Sequence, residues 1–264
     1  MSEECLTKYP ILLLHGLGFR DDMPLLSSWG RIPARLEGGG ARVSLGGLDA
    51  WSPHEENAAL LREQVGRLLE QTGAQKVNLI AHSRGGIEAR YMISRLGMAD
   101  RVASLTTVCT PHRGSAAADA VSGLLAFRMG LADALARWAG DRSPDCATSI
   151  RELSRPAMKA FNEEVPDAPG VRYLSYGSLM KSAVDDLFFA LSHQVVLECE
   201  GENDGMVSAD SCRWGDFRGI ITGGPGQRGI SHLDMVDFRQ HAVGGVEIPE
   251  CYASMAAELK ALGF

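Results

Sequence analysis

Lys76-Val77-Asn78-Leu79-Ile80-Ala81-His82-Ser83-Arg84-Gly85-Gly86 is a short apolar run that ends in a serine held between small residues. A run of this kind reads as a buried strand, and Ile87, Tyr91 and Ile93 to Leu96 give the segment behind it the apolar face of a helix. A serine hydroxyl is a weak nucleophile unless the chain turns sharply enough to project it, and so sharp a turn needs small residues two before and two after the serine. Ala81 and Gly85 fill those places, alanine standing where the usual G-x-S-x-G pattern has glycine. The spacing predicts a strand, a nucleophile elbow at Ser83 and a helix.

A second apolar run, Pro10 to Leu14, leads directly into His15-Gly16-Leu17-Gly18. Acyl transfer builds negative charge on a carbonyl oxygen, and backbone N–H groups on a glycine-flanked turn can receive it with no side chain in the way. The N–H groups of Leu17 and Arg84 are the candidate oxyanion hole. On such a fold an acid and then a histidine should follow the serine. His193, His232 and His241 are the histidines well downstream. Asp204 follows the strand-like Val195-Val196-Leu197 in a turn-forming segment, His193 precedes it, and His232 follows the glycine-rich stretch from Gly223 to Gly226. The candidate triad is Ser83, Asp204 and His232.

Further along the chain, strand and helix patterns alternate as a mostly parallel sheet requires. Ser52-Pro53-His54-Glu55 has the form of a capping box, and Leu61, Val65, Leu68 and Leu69 then line one helical face until Gly73 stops it. Val102 to Val108 and Val171 to Tyr176 read as strands, and Tyr252 to Leu262 as a closing helix. Between Gly114 and Asp145, Leu124, Phe127, Leu131, Leu135 and Trp138 recur at helical spacing. They are read either as a helix packed on the core or as a lid whose apolar face covers the acyl pocket.

The chain's 264 residues carry 26 Lys and Arg against 33 Asp and Glu, a formal charge of −7 without a basic cluster. That balance argues against nucleic acid and against strong attachment to anionic membranes. No apolar run approaches the roughly 20 residues of a membrane span, and the start of the sequence lacks the form of a signal peptide, so a soluble chain is expected. The six cysteines form no C-x-x-C pair, and Cys199 and Cys212 flank the loop bearing Asp204.

His15 to Phe19, Ala81 to Gly86, Thr106 to Ser115, Asn203 to Val207 and His232-Leu233-Asp234 together resemble the bacterial triacylglycerol lipases of the Pseudomonas and Burkholderia type. Thr110-Pro111-His112-Arg113-Gly114-Ser115 is the most discriminating block. The resemblance implies an α/β-hydrolase fold, a mostly parallel central sheet flanked by helices, with a helical lid insertion at about 114–165; length and the lack of a linker or internal repeat fit one domain over residues 1–264. It implies ester hydrolysis on lipid or small ester substrates at a lipid–water interface, with no cofactor for the chemistry. It also implies a structural calcium ion near the catalytic histidine, with Asp234 as one ligand and Asp185 or Asp186 as the other, a set of hard oxygens that suits calcium. Proteins of this type are exported, whereas scattered cysteines suit a reducing cytoplasm as well, so the compartment stays open, as does the oligomeric state. An acyltransferase or thioesterase on the same elbow, or a noncatalytic binding protein, are the alternatives.

Overall fold

Parallel strands need crossover connections, and the amphipathic helices between the apolar runs provide them. The computed structural model describes residues 3–21, 28–125 and 129–264. Strands β1 (Ile11–Leu14), β2 (Val43–Leu45), β3 (Val77–His82), β4 (Val102–Val108), β5 (Arg172–Ser178) and β6 (Asp216–Ile221) form one sheet in the order β2-β1-β3-β4-β5-β6, every adjacent pair parallel.

Successive side chains on a strand point to opposite faces, so an unbroken apolar strand needs cover on both. Ile11 and Leu13 join Ile80 on the face covered by α1 (Ile32–Gly38) and α9 (Ile248–Ala261), through Ile32, Leu36, Tyr252, Met255 and Leu259. Leu12, Leu14 and Leu79 face α2 (His54–Thr72) and α3 (Gly85–Arg95), through Leu61, Val65, Leu68, Met92 and Ile93. Each such aliphatic side chain, fully buried, contributes about 1.5–3 kcal/mol. Helices α4 (Ala116–Leu125), α5 (Met129–Trp138), α6 (Cys146–Arg151) and α7 (Arg155–Glu164) lie between β4 and β5, and α8 (Ala190–Glu200) between β5 and β6.

The strand order positions the site. From β1 the chain crosses to β2 on one side and then returns to β3 on the other, so the connections diverge at the carboxyl ends of β1 and β3 and open a crevice there. The turn after β1 and the elbow after β3 both border it.

Two local expectations are corrected. Helix α2 ends at Gly73, whose φ of 66° is left-handed, as anticipated, but the capping box at its start does not form. The buried Ser52 hydroxyl donates instead to Asp49 Oδ2 at 3.0 Å, and Glu152 takes the His54 N–H at 2.9 Å. Val195-Val196-Leu197 is part of α8 rather than a strand, because three apolar residues carry no period and the eleven-residue helix around them decides. Asp204 therefore lies in a loop after a helix, tied to the end of β5 by the Met180 N–H to the Asn203 carbonyl at 3.0 Å. The outer strands β2 and β6 escape the sequence pattern because they sit on sheet edges with half-buried, mixed side chains. All six cysteines, Cys199 and Cys212 included, are free thiols.

Candidate active site

Ser83 stands at the end of β3 with a φ of 54°, a left-handed conformation that non-glycine residues seldom adopt and that stores strain at functional turns. Neighbouring glycines make the turn sterically possible. A Cβ on Gly85 would lie 2.6 Å from the His15 carbonyl oxygen, and one on Gly16 would lie 2.8 Å from Ser83 Cβ. The elbow is tied down from below by the Ser83 N–H to the Val108 carbonyl at 2.8 Å and by the Thr110 hydroxyl to the Ser83 carbonyl at 2.6 Å.

Three separate loops bring one hydroxyl, one imidazole and one carboxylate into line. Ser83 Oγ lies 2.9 Å from His232 Nε2, and His232 Nδ1 lies 2.8 Å from Asp204 Oδ2. The second Asp204 oxygen accepts the N–H groups of Met206 and Val207 at 2.9 and 2.7 Å, which fixes the carboxylate's rotation. A backbone bond from the His232 N–H to the Asp204 carbonyl, 2.8 Å, clips the two loops together. The other downstream histidines stand apart. His193 lies in α8, where its carbonyl accepts from Asn203 Nδ2 beyond the helix end, and His241 is exposed with its ring on the Ala242 carbonyl.

His82, buried beside the serine, was not singled out from sequence. Its Nε2 donates to the His232 carbonyl at 3.1 Å, and the two rings lie 4.7 Å apart. Burial, reinforced by His232, pushes its basicity well below 6.5, so it stays a neutral donor under the loop bearing His232. Cys109, at the end of β4 with a φ of 54°, places its thiol with His232 and Asp204 in a group whose atoms lie within 4.8 Å of one another. Burial, then Asp204, raises the thiol well above its usual 9.0 and keeps it protonated.

The N–H groups of Leu17 and Arg84 make no hydrogen bond among the described residues. The His15 ring steadies the first turn between the carbonyls of Gly16 and Leu48, at 3.0 and 3.2 Å. The buried Arg84 guanidinium steadies the second, reaching the Ser52 carbonyl and, at 3.4 Å each, Glu88 and Glu152. Ser83 and His232 open onto a cavity of about 680 Å³, walled largely by apolar side chains including Leu17, Phe19, Trp51, Leu153, Phe189, Met206, Val207 and Phe238.

A family model described as the alpha/beta hydrolase fold matches residues 9–145. The chain belongs to this family. It is similar to a triacylglycerol lipase of Vibrio cholerae, 31% identical over 273 residues, covering 89% of this chain and 87% of that one. A triacylglycerol lipase of Pseudomonas fragi is 30% identical over the full length of both chains, and Triacylglycerol lipase 2 of Saccharomyces cerevisiae is 30% identical over 89% of this chain and 74% of its own. Among solved structures, the Staphylococcus hyicus lipase superposes with a TM-score of 0.72 at 15% identity, covering 97% and 96% of the two chains. The mature Bacillus licheniformis lipase BlEst2 gives 0.65 at 21% identity, covering 88% of each.

In this α/β-hydrolase the Thr110 to Ser115 block is structural support for the Ser83–His232–Asp204 line. Thr110 holds the elbow, Ser115 donates to the Met206 carbonyl, and Ser211, from the loop bearing Asp204, donates to the Gly114 carbonyl at 2.6 Å. The segment thus joins the serine to the loop that carries the acid.

Neither of the aspartate pairs expected to hold calcium, Asp234 with Asp185 or Asp234 with Asp186, forms a vacant oxygen cage. Asp185 accepts the N–H groups of Lys181, Ser182 and Gly229. Asp186 and Asp234 do approach each other, but the Arg239 guanidinium lies between them, 3.0 Å from an oxygen of each. Arg228 pairs with Asp234 as well. Calcium takes six to eight oxygen ligands, and here cationic nitrogens hold the places next to both carboxylates, so these residues do not fit the ion.

Of the residues read as lid or pocket, Phe127 lies outside the described residues and Leu124 falls in α4 with its side chain outside them. Leu131, Leu135 and Trp138 on α5 are 73%, 58% and 87% exposed and are not among the cavity walls. Helical spacing gathered them on one face without stating what that face meets.

Proposed function

We propose that this protein is a serine hydrolase that cleaves carboxylic esters of lipids through an acyl-enzyme. The observation that carries the reading is the continuous Ser83–His232–Asp204 line, with bonds of 2.9 and 2.8 Å, opening on an apolar cavity. His232 Nε2 takes the proton as Ser83 Oγ attacks the ester carbonyl, and Asp204 holds the tautomer and stabilises the imidazolium. The N–H groups of Leu17 and Arg84 receive the oxyanion, each such donor typically giving about 10²- to 10³-fold in rate. The imidazolium then returns its proton to the departing alkoxide, and water repeats the sequence to free the acid. Every proton has a protein group to carry it, so the chemistry asks for no cofactor. A calcium ion stays outside the reading, since arginines hold Asp186 and Asp234.

A lipid substrate is supported by the cavity walls and by exposed apolar side chains in the segment after β5. Val184, Leu187, Phe188 and Leu191 are each 75–81% exposed, and Phe188 also borders the cavity. Apolar side chains so placed suit a lipid–water interface. We read the chain as one domain in which the described residues of about 114–165 form a cap, with the exposed face of α5 available to lipid. Among the described residues no helix is long and apolar enough to cross a membrane.

Turnover of p-nitrophenyl esters of rising acyl length, and of emulsified triacylglycerol, tests the reading together with fluorophosphonate labelling. Hydrolysis that rises with acyl length and is abolished with labelling in Ser83→Ala is expected. Ester turnover that survives Ser83→Ala, or a wild-type chain inert to every ester, overturns it. Faster transfer to an added alcohol or amine than to water would instead favour an acyltransferase.

A further inference from the structure

We infer that Arg239 does in this chain what a bound calcium ion would do: it fixes the loop bearing His232 by a cation that belongs to the protein. The inference rests on the hydrolase reading for the role of His232 and on a separate set of contacts for the rest. Arg239 Nε meets Asp234 Oδ1 and its Nη2 meets Asp186 Oδ2, both at 3.0 Å. The two carboxylates are 1% and 4% exposed. Ser231, which immediately precedes His232, is held by both: its N–H goes to Asp234 Oδ2 at 2.9 Å and its hydroxyl to Asp186 Oδ2 at 2.8 Å. Asp234 returns its own N–H to the Ser231 hydroxyl at 3.3 Å.

The histidine therefore stands on a turn whose two acidic anchors repel each other unless a cation lies between them. Two buried carboxylates carry two negative charges, and Arg228 and Arg239 carry two positive ones. That is the same neutralisation a divalent ion would give, delivered by groups that cannot dissociate. The planar guanidinium bonds two acceptors in different directions at once, which suits it to bridging. A protein built this way places His232 correctly whatever the calcium level. Arg239 is a positioning residue: it acts on the imidazole through Asp186, Asp234 and Ser231.

The test compares wild type with Arg239→Ala on a dissolved short-chain p-nitrophenyl ester, in chelator, in millimolar calcium and in millimolar guanidinium, alongside thermal unfolding. In wild type, turnover and unfolding should be the same in chelator and in calcium. In Arg239→Ala, kcat should fall by up to about 100-fold, as for a displaced catalytic group, with little change in KM. Guanidinium or calcium should restore part of that loss, which a general loss of stability would not allow. Should Arg239→Ala fail to fold, calorimetric titration of wild type with calcium decides: no binding supports the inference and stabilising binding overturns it. Loss of wild-type turnover in chelator with recovery in calcium also overturns it, as does an Arg239→Ala enzyme with unchanged kcat. Fluorophosphonate labelling of Ser83 separates the readings. A wild type that is neither labelled nor active would remove the hydrolase reading, while the calcium titration would still judge Arg239.

Discussion

Replacing Gly16 by alanine would add one methyl group at the place where the turn after β1 passes the elbow. The new Cβ would lie 2.8 Å from Ser83 Cβ, 3.2 Å from Ser83 Oγ and 3.3 Å from His82 Nδ1. Ordinary contacts begin at 3.4 Å, so the closest pair must part by about 0.6 Å. Neither partner yields freely, because Ser83 is pinned through its N–H and its carbonyl and His82 is bonded to the His232 carbonyl. The displacement is taken up by the Ser83–His232 hydrogen bond or by the Leu17 N–H, both of which the proposed reaction needs. A shift of this size at reacting groups costs on the order of 10- to 100-fold in kcat, and overpacking costs about 1–3 kcal/mol of stability. Gly66, inside α2 with open space around its Cβ position, is the control, and alanine there should stabilise by about 0.5–1 kcal/mol. The assay is kcat on a dissolved p-nitrophenyl ester, with urea unfolding to separate activity from folding. A folded Gly16→Ala enzyme with full turnover would refute the argument, since it would mean that the turn and the elbow do not touch as described.

Ser83→Ala should lower turnover by on the order of 10⁶-fold with the fold intact, checked by circular dichroism beside the ester assay. Asp204→Asn should keep the geometry but favour the wrong tautomer of His232, for a loss on the order of 10⁴-fold in kcat; a loss below tenfold would assign the acid elsewhere. Thr110→Val should cost about 0.5–1.5 kcal/mol by removing the bond to the Ser83 carbonyl, read from urea midpoints. His82 and His112 are buried and burial depresses both well below 6.5, so they stay neutral when folded while the unfolded chain takes up protons. Stability should therefore fall as pH drops below about 6.5, by up to about 1.4 kcal/mol per pH unit for each group, and His112→Asn should flatten that slope in urea titrations. A steeper or unchanged slope would mean that His112 is not neutral in the fold.

Residues whose chemistry is local to a few neighbours were legible in the sequence. The elbow at Ser83 could be read because a strained turn forces small residues at fixed spacing. The sheet's centre could be read because strands buried on both faces are apolar throughout. The loop character of the segments bearing Asp204 and His232 followed from turn-forming residues. What the tertiary structure decided concerns partners far apart along the chain. The edge strands β2 and β6, buried only in part, carry too mixed a pattern to stand out. Ser52 does not cap α2 because the helix begins at His54 with Pro53 in the cap position, one residue beyond Ser52. The face of α5 could be found by period, but its exposure depends on what packs beside it. Only the resemblance, and no pattern in the residues themselves, implied a cation beside Asp234 and an aspartate after β5. Which cation lies there depends on where a long, flexible arginine side chain ends, and only three-dimensional packing carries Arg239 to both carboxylates.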